Sequence, residues 1–313
     1  MLVIAAFAVT SAAAQFNPME PIPADKDVRT GKLENGMTYY IRHNEKPKGQ
    51  ADFYILHDVG AIQENDSQQG LAHFLEHMAF NGTKHFPGKG ILNYLAANGV
   101  RFGYNVNAYT SRDRTVYNVS NVPLVRETVV DSCLLILHDW SHCITLDGGE
   151  IDKERGVIIE ELRQGEGPAR RMWCGAAPLL YGDTRYATRN LIGHIDGLST
   201  FPHDELRDFY GRWYRPDLQA VIVVGDFDVD EMEAKVRAVM SDIPAKENPE
   251  PKRRITLPDN AQPVVGLFTD PEATMTSFSL YYKRPLRPFE SRNTRQGNLN
   301  TLCDGMMMYA MNL

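Results

Sequence analysis

The sequence contains few cysteines, no extended basic cluster and, after its first fifteen residues, no long hydrophobic run. A helix needs roughly 20 consecutive apolar residues to cross a bilayer, so we expect no stable membrane span. The net charge is −7 and the longest basic cluster is Lys252-Arg253-Arg254, so a nucleic-acid partner is not expected. Four cysteines in 313 residues are too few for a disulfide framework: Cys133, Cys143, Cys174 and Cys303.

The first fifteen residues differ in composition from the rest of the chain. Residues 2–9 are almost wholly apolar, and Ser11 and three alanines after it supply the small residues that a signal peptidase requires. The basic residues that usually precede such a run are missing, and a frayed apolar terminus is the alternative. We interpret residues 1–14 as a signal peptide, which predicts export to the periplasm or the extracellular space.

Hydrophobic periodicity predicts an α/β domain over residues 25–244. Strand-like alternation occurs at 37–42, 52–59, 100–111, 115–121 and 219–224. Helical spacing occurs at 68–80, 89–98, 123–140, 147–164, 203–213 and 228–240, whereas 165–200 is loop-like with some helix. Residues 243–259 resemble a linker, and two strands (263–268 and 274–282) and a helix (302–313) follow. Residues 245–313 are therefore predicted to be this linker and the start of a second, truncated domain.

The motif that points most directly to chemistry is His73-Phe74-Leu75-Glu76-His77. On a helix, residues four apart differ by about 40° in azimuth, so both imidazoles can reach one ion. Glu76 falls on the same face. A zinc ion above this face would use the histidines as ligands and leave Glu76 free to activate water. The alternative is a pair of ordinary structural histidines.

A catalytic zinc site takes a third ligand from the protein, and the helix predicted at 147–164 offers one. Glu154 and Glu161 lie about 20° apart on the mainly apolar face of that helix, where a bare carboxylate is costly. Glu160 points about 100° away from Glu161. The spacing therefore favours Glu161 or Glu154 as the third ligand, and a partly solvated acidic face is the alternative.

A second pair of histidines has the same spacing. His138 and His142 are four residues apart, with Cys143 next to them, and could hold a second metal. They lie at the end of a predicted helix, where histidines interact favourably with the dipole and the free carbonyls. Because no glutamate lies between them, a structural role is the favoured interpretation.

Several of these segments resemble one known family. The segment from His73 to His77, with the Met-Ala-Phe-Asn-Gly-Thr that follows it, resembles the inverted zinc motif of the insulinase/pitrilysin peptidases of the M16 type. The stretch from Glu154 to Glu161 resembles that family's downstream acidic motif. Residues 107–110 look like its substrate-edge strand, and residues 213–226 like its closing helix-strand unit. The resemblance covers residues 31–228.

The resemblance implies roles for individual residues. Glu161 would join His73 and His77 as the third ligand of one zinc ion (Zn²⁺) per chain, and Glu154 would lie behind the ligands. Glu76 would accept a proton from the attacking water. The Asn107 side chain and the Ala108 backbone would anchor an extended peptide substrate; the alternative for this segment is an ordinary paired strand.

The family also implies a fold and a partner. We expect an α/β fold, a two-layer α+β arrangement with a mixed, largely antiparallel sheet and helices on one face. It would form one half of a clamshell, closed by a second, related half or subunit. The expected function is that of a zinc metalloendopeptidase that hydrolyses peptides or unfolded segments. The alternatives are a non-catalytic half that binds metal or peptide, and a metal-dependent hydrolase of other substrates.

Overall fold

A computed structural model describes residues 17–283 and 287–311. Contacts between residues divide them into two compact units. One unit is Asp27–Tyr281, and the other consists of residues 17–26, 282–283 and 287–311. The predicted signal peptide, residues 1–14, lies outside the described residues. Among the described helices, none combines the length and the apolar composition that a bilayer span requires.

The unit Asp27–Tyr281 is built on one six-stranded sheet. The strands lie in the order β1-β2-β6-β3-β5-β4, and only the β2–β6 pair is parallel. The sheet is therefore mixed and largely antiparallel, as predicted. The strands are β1 (Val28–Lys32), β2 (Thr38–His43), β3 (Gln50–His57), β4 (Val106–Thr110), β5 (Thr115–Pro123) and β6 (Gln219–Gly225).

Burial alternates along the central strands, because successive side chains of a strand point to opposite faces. In β3, Phe53 and Ile55 are fully buried while the residues between them are half-buried, and β6 repeats the pattern with Val221 and Val223. One face of the sheet thus contributes to the hydrophobic core, and three helices of this unit, α1, α3 and α9, pack against its strands. The predicted fold class is confirmed.

The same unit contains nine α-helices, and the sequence explains where some of them begin. Asp147 begins α4 by accepting hydrogen bonds from the backbone N–H groups of Gly149 and Glu150, at 2.8 and 3.1 Å. The helices are α1 (Leu71–Met78), α2 (Gly90–Ala97), α3 (Glu127–His142), α4 (Gly148–Gln164), α5 (Pro168–Tyr181), α6 (Arg185–Thr188), α7 (Ile195–Thr200), α8 (His203–Trp213) and α9 (Val229–Met240).

The structure corrects four secondary-structure predictions. Residues 28–32 form the edge strand β1, where no strand was predicted. The strand expected over residues 100–111 is confined to β4, because Gly103 adopts a left-handed conformation (φ 78°) within a turn. Residues 165–200 contain α5, α6 and α7, and α5 begins with Pro168 at its first position, where proline is favourable. The strands expected at 263–268 and 274–282 are absent, since no neighbouring strand in the described structure pairs with them.

The second unit contains two helices, α10 (Phe289–Arg292) and α11 (Arg295–Met311). Residues near the described start of the chain contact them: Pro21 pairs with Thr294, and Glu20 forms an ion pair with Arg295 at 3.0 Å. Helix α11 begins seven residues before the predicted start at residue 302. The domain boundary near residue 244 stays a prediction.

Candidate metal centre and active site

Helix α1 begins at a point where only glycine fits. Gly70 has φ 92°, and a Cβ added there would lie 2.8 Å from the Cα of Gly193. The buried Glu64 carboxylate accepts hydrogen bonds from the backbone N–H groups of Gly70 and Ala72, at 3.2 and 2.9 Å. Because these donors have no partner inside the helix, Glu64 satisfies the N-terminal turn of α1.

The structure brings His73, His77 and Glu161 together. Nε2 of His73 lies 3.6 Å from one carboxylate oxygen of Glu161, and Nε2 of His77 lies 3.4 Å from the other. The possible ligand atoms of the three residues all lie within 4.8 Å of one another. Helices α1 and α4 therefore present two imidazoles and one carboxylate to a common point.

These distances fit a zinc ion better than they fit direct hydrogen bonds. A good N–H···O hydrogen bond spans about 2.7–3.2 Å, shorter than either separation. Zinc bonds nitrogen and oxygen at about 2.0–2.2 Å, which places two ligand atoms of a tetrahedron roughly 3.3 Å apart. The side chain of Glu161 is 48% exposed, so one side of the centre is open to solvent.

His73 is held in the neutral form that a metal ligand requires. Burial, helped by the nearby His77, lowers its pKa to about 4. Its Nδ1 atom is buried and has no hydrogen-bond partner among the described residues. His73 therefore directs Nε2, and not Nδ1, at the point where His73, His77 and Glu161 converge.

Glu154 lies behind His77 and fixes the orientation of its ring. One carboxylate oxygen of Glu154 is 2.8 Å from Nδ1 of His77, and the other accepts a hydrogen bond from Asn81 at 2.5 Å. Burial acts to raise the pKa of Glu154, but the hydrogen bonds from His77 and Asn81 outweigh it and the pKa is lowered. Burial likewise acts to lower the pKa of His77, but Glu154 and other carboxylates raise it overall. With Nδ1 facing Glu154, Nε2 of His77 faces Glu161.

Glu76 is positioned next to the convergence point but is not one of its three groups. It is 9% exposed, and one of its oxygens accepts a 2.6 Å hydrogen bond from the hydroxyl of Thr110 in β4. Burial raises the pKa of the Glu76 carboxyl, and the Thr110 hydrogen bond partly opposes that shift. A carboxyl with a raised pKa accepts and returns a proton near neutral pH more readily than an ordinary one.

Strand β4 is the last strand of the sheet, so only one of its edges pairs with another strand among the described residues. Asn107 is exposed and Ala108 is half-buried, and their strand continues to Thr110, which contacts Glu76. An open strand edge can accept an extended peptide through backbone hydrogen bonds. The structure thus places Asn107 and Ala108 on an open edge near Glu76.

Two residues of this centre were not identified from the sequence. Asn81 contacts Glu154 and also accepts a hydrogen bond from the ammonium group of Lys89. Thr110 contacts Glu76. Strand alternation was the available signal for Thr110, because it shares a face with Val106 and Ala108. Asn81 lies in the Met-Ala-Phe-Asn-Gly-Thr segment that resembles the family motif, but the sequence assigned it no role.

Comparisons with known proteins bear on the same segments. A family model described as "Insulinase (Peptidase family M16)" matches residues 39–169, a range that includes His73, Glu76, His77, Glu154 and Glu161. A second, "Peptidase M16 inactive domain", matches residues 200–304. The chain belongs to the insulinase family, peptidase family M16.

Individual relatives agree with this assignment. The probable zinc protease PqqL of Escherichia coli K12 is 37% identical over 265 residues, which is 85% of this chain and 28% of that protein. The protein of the same description from Haemophilus influenzae is 32% identical over 80% of this chain and 27% of its own length. The crystal structure of the first half of the periplasmic protease PqqL from Escherichia coli matches with a TM-score of 0.71 and 38% identity. That match covers 77% of this chain and 51% of the solved chain.

The chain therefore spans little more than a quarter of the length of these curated relatives. The family and the fold apply to the chain directly. The activity, substrate and partners of a whole M16 protein are matters for proposal.

Proposed function

We propose that this chain contains the zinc-binding part of a metalloendopeptidase that hydrolyses peptides or unfolded protein segments. His73, His77 and Glu161 would hold one zinc ion, and Glu76 would act as the general base. The observation that supports this most directly is the approach of Glu161 to Nε2 of both histidines, at 3.6 and 3.4 Å, with Glu76 beside them. M16 membership and the zinc-protease descriptions of relatives support the same conclusion.

Zinc at this centre would polarise the scissile carbonyl and lower the pKa of a nearby water. Glu76 would accept the proton of that water during attack and deliver it to the leaving amine. Thr110 would hold the Glu76 carboxylate in place for both transfers. Glu154 would keep Nε2 of His77 directed at the ion, because its carboxylate occupies Nδ1.

The peptide substrate would add to the open edge of β4, anchored by the Asn107 side chain and the Ala108 backbone. Such binding uses hydrogen bonds to the backbone of an extended segment and does not recognise a folded surface. It therefore supports peptides or unfolded segments as substrates. A second, related half or subunit would close over the exposed side of Glu161. We further propose export to the periplasm, supported by the apolar residues 2–9 and by the periplasmic PqqL.

The alternative is a non-catalytic half that binds metal or peptide inside a two-part assembly. Two observations are reasons to test it. Residues 200–304 match an "inactive domain", and the chain covers only 28% of the Escherichia coli PqqL. The buried Glu76 argues against it, because a purely structural zinc site has no need for a base. A hydrolase of non-peptide substrates is a third possibility that a substrate panel would separate.

The test compares the full-length wild-type protein with Glu76→Gln. We expect the variant to retain stoichiometric zinc and to lose cleavage of quenched peptides by at least about 100-fold, since it lacks the base. Metal analysis and fluorescence assays measure the two properties. His77→Ala should lose activity together with the zinc ion of this centre. Full activity in Glu76→Gln would rule out Glu76 as the base, and zinc-bound but inactive wild-type protein would favour the non-catalytic alternative.

A further inference from the structure

A second group of metal-ligating side chains converges away from the centre described above. Nδ1 of His85 lies 2.7 Å from one carboxylate oxygen of Asp139, and Nδ1 of His138 lies 3.4 Å from the same oxygen. The possible ligand atoms of the three residues all lie within 4.8 Å of one another. We propose that His85, His138 and Asp139 form a second site for a divalent transition metal ion, of which zinc is the best match.

The far atoms of two of these ligands are already held in place. The second carboxylate oxygen of Asp139 accepts hydrogen bonds from the Thr83 hydroxyl at 2.6 Å and from the backbone N–H of His85 at 2.9 Å. Nε2 of His138 lies 3.0 Å from a carboxylate oxygen of Asp242. Metal-binding residues in proteins typically have such outer hydrogen bonds, which fix the ring or carboxylate that faces the ion.

The group is largely buried. Asp139 is fully buried, and its carboxylate already receives hydrogen bonds from Thr83 and His85, so an ion would take the place of the His85 Nδ1 contact. The His138 side chain is 7% exposed, whereas that of His85 is 36% exposed. His85 therefore opens the group to solvent, which gives an ion a route in, and its exposed ring can move outward to lengthen the 2.7 Å contact.

The composition of the ligand set limits the kind of metal. Two imidazole nitrogens and one carboxylate oxygen suit zinc or cobalt, and a water would complete four-coordination. Calcium and magnesium prefer sites made of oxygens. The spacing of His138 and His142 also allowed a metal, although a structural role was favoured for that pair; His142 is exposed and does not belong to the converging group.

An ion at this second site would fasten the loop of residues 79–89 to helix α3. The loop already contacts the end of α3, since Lys84 donates its backbone N–H to the carbonyl of Cys143 at 2.9 Å. The same loop supplies Asn81, which contacts Glu154 behind the first centre. The second site would therefore be structural and would stabilise the segment that follows α1.

The experiment counts zinc ions per folded chain at a free zinc concentration fixed by a chelator buffer. His73→Ala removes a ligand of the first centre but leaves Glu154, His77 and Asn81 in contact. We expect this variant to retain one zinc per chain and to melt at a higher temperature with zinc than without it. His73→Ala/His85→Ala should bind no zinc and lose that shift, while the matched control His73→Ala/His142→Ala should behave as His73→Ala does.

Two results would overturn the second site. One is a folded His73→Ala protein, judged by circular dichroism, that binds no zinc. The other is a double variant with His85→Ala that still retains one ion. Should His73→Ala not fold, cobalt titration of the wild type and of His85→Ala replaces it, with one fewer cobalt ion bound in the variant. If the first centre holds no metal, the wild type would bind a single ion, and His85→Ala would remove it. The result for the first centre is therefore distinguishable from the result for the second site.

Discussion

At the scale of single residues, each group of the first centre is held by a neighbour from another element. Glu154 of α4 holds His77 of α1, and Thr110 of β4 holds Glu76 of α1. These contacts orient the reactive atoms. Small changes in the supporting residues should therefore weaken metal binding or proton transfer while the fold persists.

Glu154→Gln is the sharpest test of this support. Glutamine keeps the shape of the side chain but removes the charge next to Nδ1 of His77, so the ring becomes a weaker ligand. We expect zinc affinity to fall by about 10- to 100-fold, the usual cost of losing an outer hydrogen-bond partner. Competition with a chromophoric chelator measures it.

Glu160→Gln on the same helix is the matched control. Glu160 is exposed and its carboxylate contacts Gln164 and Arg163 instead of the histidines. It should bind zinc as the wild type does. Equal zinc affinity in Glu154→Gln and wild type would contradict the role given to Glu154, and a complete loss of the ion of this centre would indicate a direct ligand.

The sequence indicated some of these residues and not others, for a physical reason. His73, Glu76 and His77 lie within five residues, so helical geometry alone relates them. Thr110 and Asn81 depend on how β4 and the loop after α1 pack against α1 and α4. That packing is set by contacts between residues distant in sequence, which periodicity does not contain.

At the scale of elements, the position of α1 depends on its first turn. Gly70 permits the close approach to Gly193, and Glu64 accepts the N–H groups of Gly70 and Ala72. Burial raises the pKa of Glu64. The two hydrogen bonds and the nearby Arg189 oppose this shift but do not cancel it, and the pKa is about 8. The other carboxylate oxygen of Glu64 is buried without a partner among the described residues.

This shift predicts a pH-dependent stability that Glu64→Gln should remove. The folded chain holds the Glu64 proton up to about pH 8, whereas the unfolded chain releases it near 4.5, the ordinary pKa of a glutamate. The folded state therefore binds more protons between these values, and wild-type stability falls as pH rises through this window. Relative to wild type, the variant should gain stability from pH 5 to pH 8, by up to about 1.4 kcal/mol per pH unit. Urea unfolding at both pH values measures the difference.

Glu34→Gln, which changes an exposed carboxylate, serves as the control and should show no such gain. A constant difference between Glu64→Gln and wild type across this range would contradict the raised pKa. The opposite slope would mean that the hydrogen bonds and arginines near Glu64 stabilise its charged form more than burial destabilises it.

Elements with a strong periodic pattern were predicted well, and irregular ones were not. The alternation of β3 and β6 and the helical spacing of α4 were visible because each buries one face against the core. Residues 165–200 carry glycines and arginines that weaken the pattern, yet they form helices. Residues 263–282 have strand-like composition but no strand beside them, and composition alone cannot supply a partner.

At the scale of the whole molecule, α1, α4 and β4, which carry the residues of the first centre, all lie within one unit, Asp27–Tyr281. The fold and the family agree with what the motifs implied. The family resemblance implies an Arg and a Tyr that contact substrate from a second half, and no residue of this chain is assigned to either role. The open side of Glu161 and the edge of β4 are where such a half would contribute substrate contacts.

The central claim is that one zinc ion is bound jointly by neighbouring turns of α1 and by Glu161 of α4. A crystal structure of the zinc-loaded protein, with anomalous data at the zinc edge, tests it most directly. The account predicts a peak at about 2.0–2.2 Å from Nε2 of His73, Nε2 of His77 and a carboxylate oxygen of Glu161. Histidine rings that face different directions, or a zinc ion at α1 that Glu161 does not contact, would contradict it.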